Sequence, residues 1–420
     1  MAAYSGFHDH LDLGILYEIR DILHRIFLDI ASVLFRQDFR HISWLPTLAC
    51  ISTIATTSQP GINGTSLLRM NQIQIVATHN SYHIENNATE KEYFRHLIRH
   101  PEDYYYTHAP PRDQLDHQQV RGFEFDIWAD SAGGRYTAPI IRQLTHGGTP
   151  GGAASSVMDQ PGAKVFHISD LDVRSTCYTL VDCLQQVKEW SDAHPAHVPI
   201  PILLEFKTAG TPSLAIGGVQ SEEWNPSNLA FLDREIRSVF PEERMITPDD
   251  VRRNGLTLEQ SVLKYGWPAL DESRGKVFFL MDNSPNPGRD NVRDAYRMEG
   301  HGNLEGRIIF TNSLPGRADC AFVKRNIATG HNFAEIQQLV QAGYMVRTRA
   351  DQPIWTVVHN DVRRREAAFA SGAQIVSTDF PAVRMSERYD SDYVCRLPGK
   401  KVARCNPVNG PCGCKDEQLE

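Results

Sequence analysis

The sequence lacks several things, and each absence narrows what the chain can do. It has no long block of Lys and Arg and no stripe of interleaved aromatic and basic residues. With 51 acidic against 43 basic residues its formal charge is -8, which argues against nucleic acid as the partner. No Gly-rich turn follows the first apolar run, so a doubly wound dinucleotide-binding sheet is disfavoured. Four cysteines crowd into the last 26 residues (Cys395, Cys405, Cys412, Cys414), but their spacing fits no common zinc pattern.

What the chain does contain is ordinary in bulk. At 420 residues, 41% hydrophobic and 22% charged, it can hold one large barrel or two ordinary domains. Eight cysteines suggest disulfides and an oxidising, extracellular compartment. Cys177 and Cys183, at the start of an amphipathic segment, are expected to be joined. Asn63 and Asn87 head short glycosylation sequons. Ile42 to Pro60 has the apolar stretch and small-residue end of a secretory signal and is too short to span a bilayer. About 40 residues precede it, so the expectation is that translation starts downstream of residue 1. Residues 13–35 carry Leu16, Ile19, Leu23, Ile26, Ile30 and Leu34 at helical spacing, an amphipathic helix with mixed charges on its other faces.

From Asn71 onward, Val/Ile/Phe-rich runs recur. They lie at residues 73–80, 120–128, 163–170, 200–207, 276–283, 307–312, 344–351 and 373–380, with amphipathic segments such as Tyr178 to His194 and Asn228 to Phe240 between them. Eight strands alternating with helices over about 310 residues predict an α/β fold of the (β/α)8 TIM-barrel type. The organisation is then an N-terminal extension (1–69), a barrel (70–390) and a Cys-rich tail (391–420), with residues 129–162 as an insertion at the barrel mouth.

In such a barrel the chemistry sits where strands end at their carboxyl termini. The first run ends in His79 and Asn80. The second carries Glu124 and Asp126 and the fourth Glu205 and Lys207, each pair two apart and on one strand face. The third ends in His167. Asn80, Glu124, Asp126 and Glu205 form an all-oxygen set suited to Ca2+ or Mg2+, and two histidines beside it suit acid–base work on a phosphodiester. Asp282, Arg347 and Asp379 also end strands. Read singly, the acids could equally pair with Arg121 or Lys207 as structural ion pairs.

The set "ATHNSYH", "VRGFEFDIW", "KVFHISDLDVRSTC" and "LLEFK", with "VRTRAD" and "IVSTDFP" further on, resembles the calcium-dependent, bacterial-type branch of the phosphatidylinositol-specific phospholipase C superfamily, over about residues 70–385. The resemblance implies a PLC-like barrel with His79 and His167 catalytic and with Ca2+ held by Asn80, Glu124, Asp126 and Glu205. Lys207 would bind substrate phosphate or an inositol hydroxyl. It also implies cleavage of phosphatidylinositol at a membrane surface into diacylglycerol and inositol 1,2-cyclic phosphate, by a secreted monomer. One departure is that 88 residues separate the two histidines, which leaves His146 as a rival for the second role. Two other readings stay open: a glycerophosphodiester phosphodiesterase on the same fold, whose family begins with His-Arg-Gly where this chain has His79-Asn80-Ser81, and a non-catalytic barrel that only binds phospholipid headgroups.

Overall fold

The computed structural model describes residues 68–420 apart from 149, 151–155, 209–216, 287–291 and 353. The predicted helix at 13–35, the signal-like segment at 42–60 and the Asn63 sequon lie outside the described residues.

Among the described residues, ten strands form two five-stranded sheets. In chain order they are β1 (Ile73–Thr78), β2 (Phe123–Trp128), β3 (Lys164–Val165), β4 (Ile200–Lys207), β5 (Val277–Met281), β6 (Ile309–Thr311), β7 (Phe322–Lys324), β8 (Met345–Arg349), β9 (Ile375–Thr378) and β10 (Ala403–Cys405). One sheet runs β10-β1-β9-β8-β7 and the other β3-β2-β4-β5-β6. Pairing is parallel except at the two outer strands, where β10 meets β1 and β3 meets β2 antiparallel. The fold is α/β.

Parallel strands with both faces covered read as nearly continuous apolar runs. "VFFLM" of β5 and the first five residues of β4 are accordingly buried throughout. Phe279, Leu280 and Ile202 are completely enclosed, each such side chain contributing about 1.5–3 kcal/mol of burial. Predicted helices lie between the strands. Leu180–Ala193 turns Leu184 and Val187 to the core behind a Thr179 cap, and Pro226–Val239 buries Leu229, Leu232 and Ile236 behind an Asn225 cap.

The two sheets meet through backbone hydrogen bonds. Between β1 and β2, Arg121 donates to the Val76 carbonyl at 2.9 Å, Thr78 to Gly122 at 3.1 Å and Ser81 to Glu124 at 2.9 Å. Between β6 and β7, Ser313 donates to Phe322 at 3.1 Å. At the first of these seams Gly122 is required by space: a Cβ there would stand 2.9 Å from the Ala77 Cβ and 3.0 Å from Pro201 Cγ.

Two departures from the sequence reading concern strands. The run at 163–170 is not a member of the parallel set. Only Lys164 and Val165 are strand, pairing antiparallel with Trp128 and Ile127, and the chain then folds into a turn in which His167 and Ile168 donate to the Asp172 carbonyl. In its place the parallel set takes β7, three residues too short to show a period in sequence. The tail, outside the predicted repeat, joins a sheet: β10 pairs with β1, and the Glu420 carboxylate reaches Arg121 and the Val198 amide. Disulfides join Cys177 to Cys183, as expected, and Cys405 to Cys414. No helix among the described residues is long and apolar enough to cross a membrane.

Candidate active site and metal centre

The carboxyl ends of β1, β2, β4, β5, β7, β8 and β9 each contribute a polar side chain. Strand alternation puts Glu124 with Asp126, Glu205 with Lys207, and Arg347 with Arg349 on common faces, and the contacts that follow show these faces meeting.

His79, just past β1, has its Nδ1 2.7 Å from Oδ1 of Asp379, just past β9. Arg349 holds the other Asp379 oxygen at 2.8 Å. The His79 Nε2 lies 3.7 Å from Glu124. Burial, with Arg349 nearby, lowers the imidazole pKa to about 3, so it is neutral at ordinary pH. Burial would raise Asp379, but His79 and Arg349 outweigh it and hold the carboxyl well below its usual range.

His167 is arranged in the same way from another segment. Its Nδ1 lies 3.1 Å from Oδ2 of Asp172, and its Nε2 4.0 Å from Asp126. Each imidazole therefore has one nitrogen on its own aspartate and the other toward a carboxylate of β2. Burial lowers the His167 pKa, against the pull of Asp172. His146 is exposed in a left-handed turn at φ 52°.

The expected oxygen ligands divide. Glu124 and Glu205 gather with Asp282, their oxygens within 4.8 Å of one another. Asp126 instead sits 3.1 Å from Lys207. Asn80 donates its amide to the Tyr106 hydroxyl at 3.1 Å, and its Oδ1 is buried without a hydrogen-bond partner, as is Oδ1 of Asp282. Arg347 pairs with Glu124 and Lys324 with Asp282. Lys207 bridges Asp126 and Glu205, whose charges keep its pKa raised against burial. Even so, burial and the nearby Asp282 and Glu205 push Glu124 up to about 7 against Arg347. Three acids with oxygens to spare and one carboxyl that resists ionising are the electrostatics of a hard-cation site, and the donor set fits Ca2+.

Sequence reading missed His83, Asp172, Lys324 and Arg349. Arg349 sits two residues beyond Arg347 on β8, a signal that was there to find. Lys324 is on the strand too short to see, and the roles of His83 and Asp172 depend on contacts between distant segments.

Paired imidazoles beside a hard-cation donor set suit phosphoryl transfer, so the class is a cation-assisted phosphodiesterase. Residues 68–407 match the family described as phosphoinositide phospholipase C, Ca2+-dependent, and the chain belongs to that family of Ca2+-dependent enzymes. Among solved structures it is similar to a calcium-dependent phosphoinositol-specific phospholipase C from Pseudomonas sp., at 18% identity over 82% of this chain and 97% of that one, TM-score 0.48. It is also similar to a Ca2+-dependent phosphatidylinositol-specific phospholipase C from Streptomyces antibioticus, at 17% identity over 77% and 98%, TM-score 0.47. A glycerophosphoryl diester phosphodiesterase from Parabacteroides distasonis is more distant, at 12% identity over 79% and 90%, TM-score 0.26. No curated protein matches the chain.

Proposed function

We propose that the chain cleaves phosphatidylinositol by attack of the inositol 2-hydroxyl on the adjacent phosphorus, releasing diacylglycerol and inositol 1,2-cyclic phosphate. The observation that carries this reading is the pair of imidazoles, each with Nδ1 on its own aspartate and Nε2 turned toward β2. In this reading the two sheets are halves of one eight-stranded parallel barrel, supported by the hydrogen bonds at both seams.

His79 accepts the hydroxyl proton at Nε2. Its neutrality at ordinary pH supports that role, and Asp379 stabilises the imidazolium that forms. His167 gives a proton to the departing glycerol oxygen. An anionic phosphodiester arriving beside it supplies negative charge and raises its pKa, so that Nε2 takes up a solvent proton and the imidazolium, still bonded through Nδ1 to Asp172, is the acid. Lys207 would meet a phosphoryl oxygen. Glu124, Glu205 and Asp282 would hold Ca2+, with the oxygens of Asn80 and Asp126 as further donors. When bound, the ion supplies Lewis-acid polarisation of the phosphoryl oxygen and lowers the pKa of the attacking hydroxyl.

The enzyme acts as a secreted monomer at a membrane surface. The disulfides support an oxidising compartment. Exposed Ile327, Trp355 and Val383, in the segments that follow β7, β8 and β9, support contact with lipid at the end where the site lies. The test is to incubate the protein with vesicles of phosphatidylinositol and of phosphatidylcholine, with Ca2+ and with excess chelator, and resolve the products by phosphorus NMR. Cyclic inositol phosphate formed only from phosphatidylinositol and only with Ca2+ is expected. Release of glycerol phosphate from glycerophosphodiesters, with no cyclic product, would replace this reading with the diesterase one.

A further inference from the structure

His167 is not at the end of a barrel-type strand, so something other than sheet geometry must hold it. The turn that carries it, residues 167–172, closes on itself through backbone bonds between Ile168 and Asp172. It is tied to the segment after β1 where Ile84 donates to the Arg174 carbonyl and Thr176 to the Tyr82 carbonyl, at 3.3 and 2.8 Å. Between these two segments stands His83, with no exposed surface.

Both ring nitrogens of His83 face oxygen acceptors. Nδ1 is 3.0 Å from the Tyr106 carbonyl, and Nε2 is 2.9 Å from Oδ2 of Asp172. A carbonyl only accepts, so Nδ1 carries a hydrogen, and an ionised Asp172 requires a second one on Nε2. That same Oδ2 also receives Nδ1 of His167 at 3.1 Å. One carboxylate oxygen thus joins two imidazoles, whose rings stand edge to face with centroids 6.0 Å apart. Burial opposes charge on both partners, yet Asp172 raises His83 and the two histidines hold Asp172 below the usual carboxylate range.

We propose that His83 and Asp172 are positioning residues for His167: Asp172 keeps the hydrogen of His167 on Nδ1 so that Nε2 faces the substrate, and His83 fixes the Asp172 carboxylate for that task. The proposal rests on the reading of His167 as a catalytic residue. A ring nitrogen's state is set by the bond its other nitrogen makes, and a displacement near 1 Å at a reacting group can cost about 10²-fold in rate.

The experiment uses the full chain with 15N-labelled histidine, comparing wild type with His83→Phe, His83→Gln and Asp172→Ala. The His167 signals are assigned by their loss in His167→Gln. Wild type is expected to show neutral His167 with its hydrogen on Nδ1, and Asp172→Ala to show the hydrogen moving to Nε2. With Ca2+ and phosphatidylinositol, His83→Phe should lower kcat about 10²-fold with KM within about two-fold. His83→Gln, which keeps a donor toward Asp172, should recover part of that loss. An unchanged His167 tautomer in Asp172→Ala, or an unchanged kcat in cooperatively folded His83→Phe, would overturn the proposal. If wild type does not cleave phosphatidylinositol, the reading of function fails, and the tautomer comparison still decides whether Asp172 sets His167.

Discussion

Nδ1 of His79 lies 2.7 Å from Oδ1 of Asp379, although 300 positions separate the two residues in sequence. The contact joins the carboxyl end of β1 to that of β9, strands paired from Ile75 with Ile375 to Thr78 with Thr378.

Burial of this imidazole, with Arg349 nearby and against the opposing pull of Asp379, makes stability depend on pH. His79 is held at about 3 in the folded protein against an ordinary value near 6.5 in the unfolded chain. Between those values the unfolded state binds the extra proton, so stability falls as pH drops through this window. Melting temperature measured in chelator should decline from pH 6.5 toward pH 3, and His79→Gln should flatten that decline. An identical slope in both proteins would show that His79 is not the group responsible.

Turnover should separate the three histidines. His79→Ala and His167→Ala are each expected to lose ~10²- to 10⁴-fold in kcat, the usual contribution of a general acid or base, while the melting temperature in Ca2+ moves little. His146→Ala, altering an exposed turn, should stay near wild type. A silent His167→Ala beside an inactive His146→Ala would reassign the second catalytic role.

Calcium should raise the melting temperature by an amount set by its concentration relative to its dissociation constant. Glu205→Gln and Asp282→Asn should each shrink that rise and weaken activity while the chain still folds, because each removes one charge and keeps an oxygen. Zinc should not replace calcium at an all-oxygen site. Full activity in excess chelator, with no calcium-dependent shift in melting, would remove the metal assignment.

Gly122 tests the seam between the sheets. Gly122→Ala puts a methyl against Ala77 and Pro201, and overpacking of this kind costs about 1–3 kcal/mol. Chemical denaturation should show a lower midpoint with an unchanged slope. A midpoint equal to wild type would mean that the strands part there without strain.

Much of this protein follows from its sequence alone. The apolar runs that became β1, β2, β4, β5, β8 and β9 are long enough to show their character, and the polar residues that end them, His79, Glu124, Glu205 and Asp379 among them, stand out against that apolar background. A motif resemblance carried the family without coordinates. What only the tertiary structure decided is which of these groups meet. A strand's period sets the face of Glu124 and Asp126 but not their partners, so it could not separate Glu124, gathered with Glu205 and Asp282, from Asp126, paired with Lys207. Nor could local pattern distinguish β7, with three residues and no period to read, from the run at 163–170, which has the composition of a strand but keeps only Lys164 and Val165 in one before it turns. The proposed relay from His83 through Asp172 to His167 joins residues up to 89 positions apart. Its parts are held by contacts between separate segments, and no local propensity encodes such contacts.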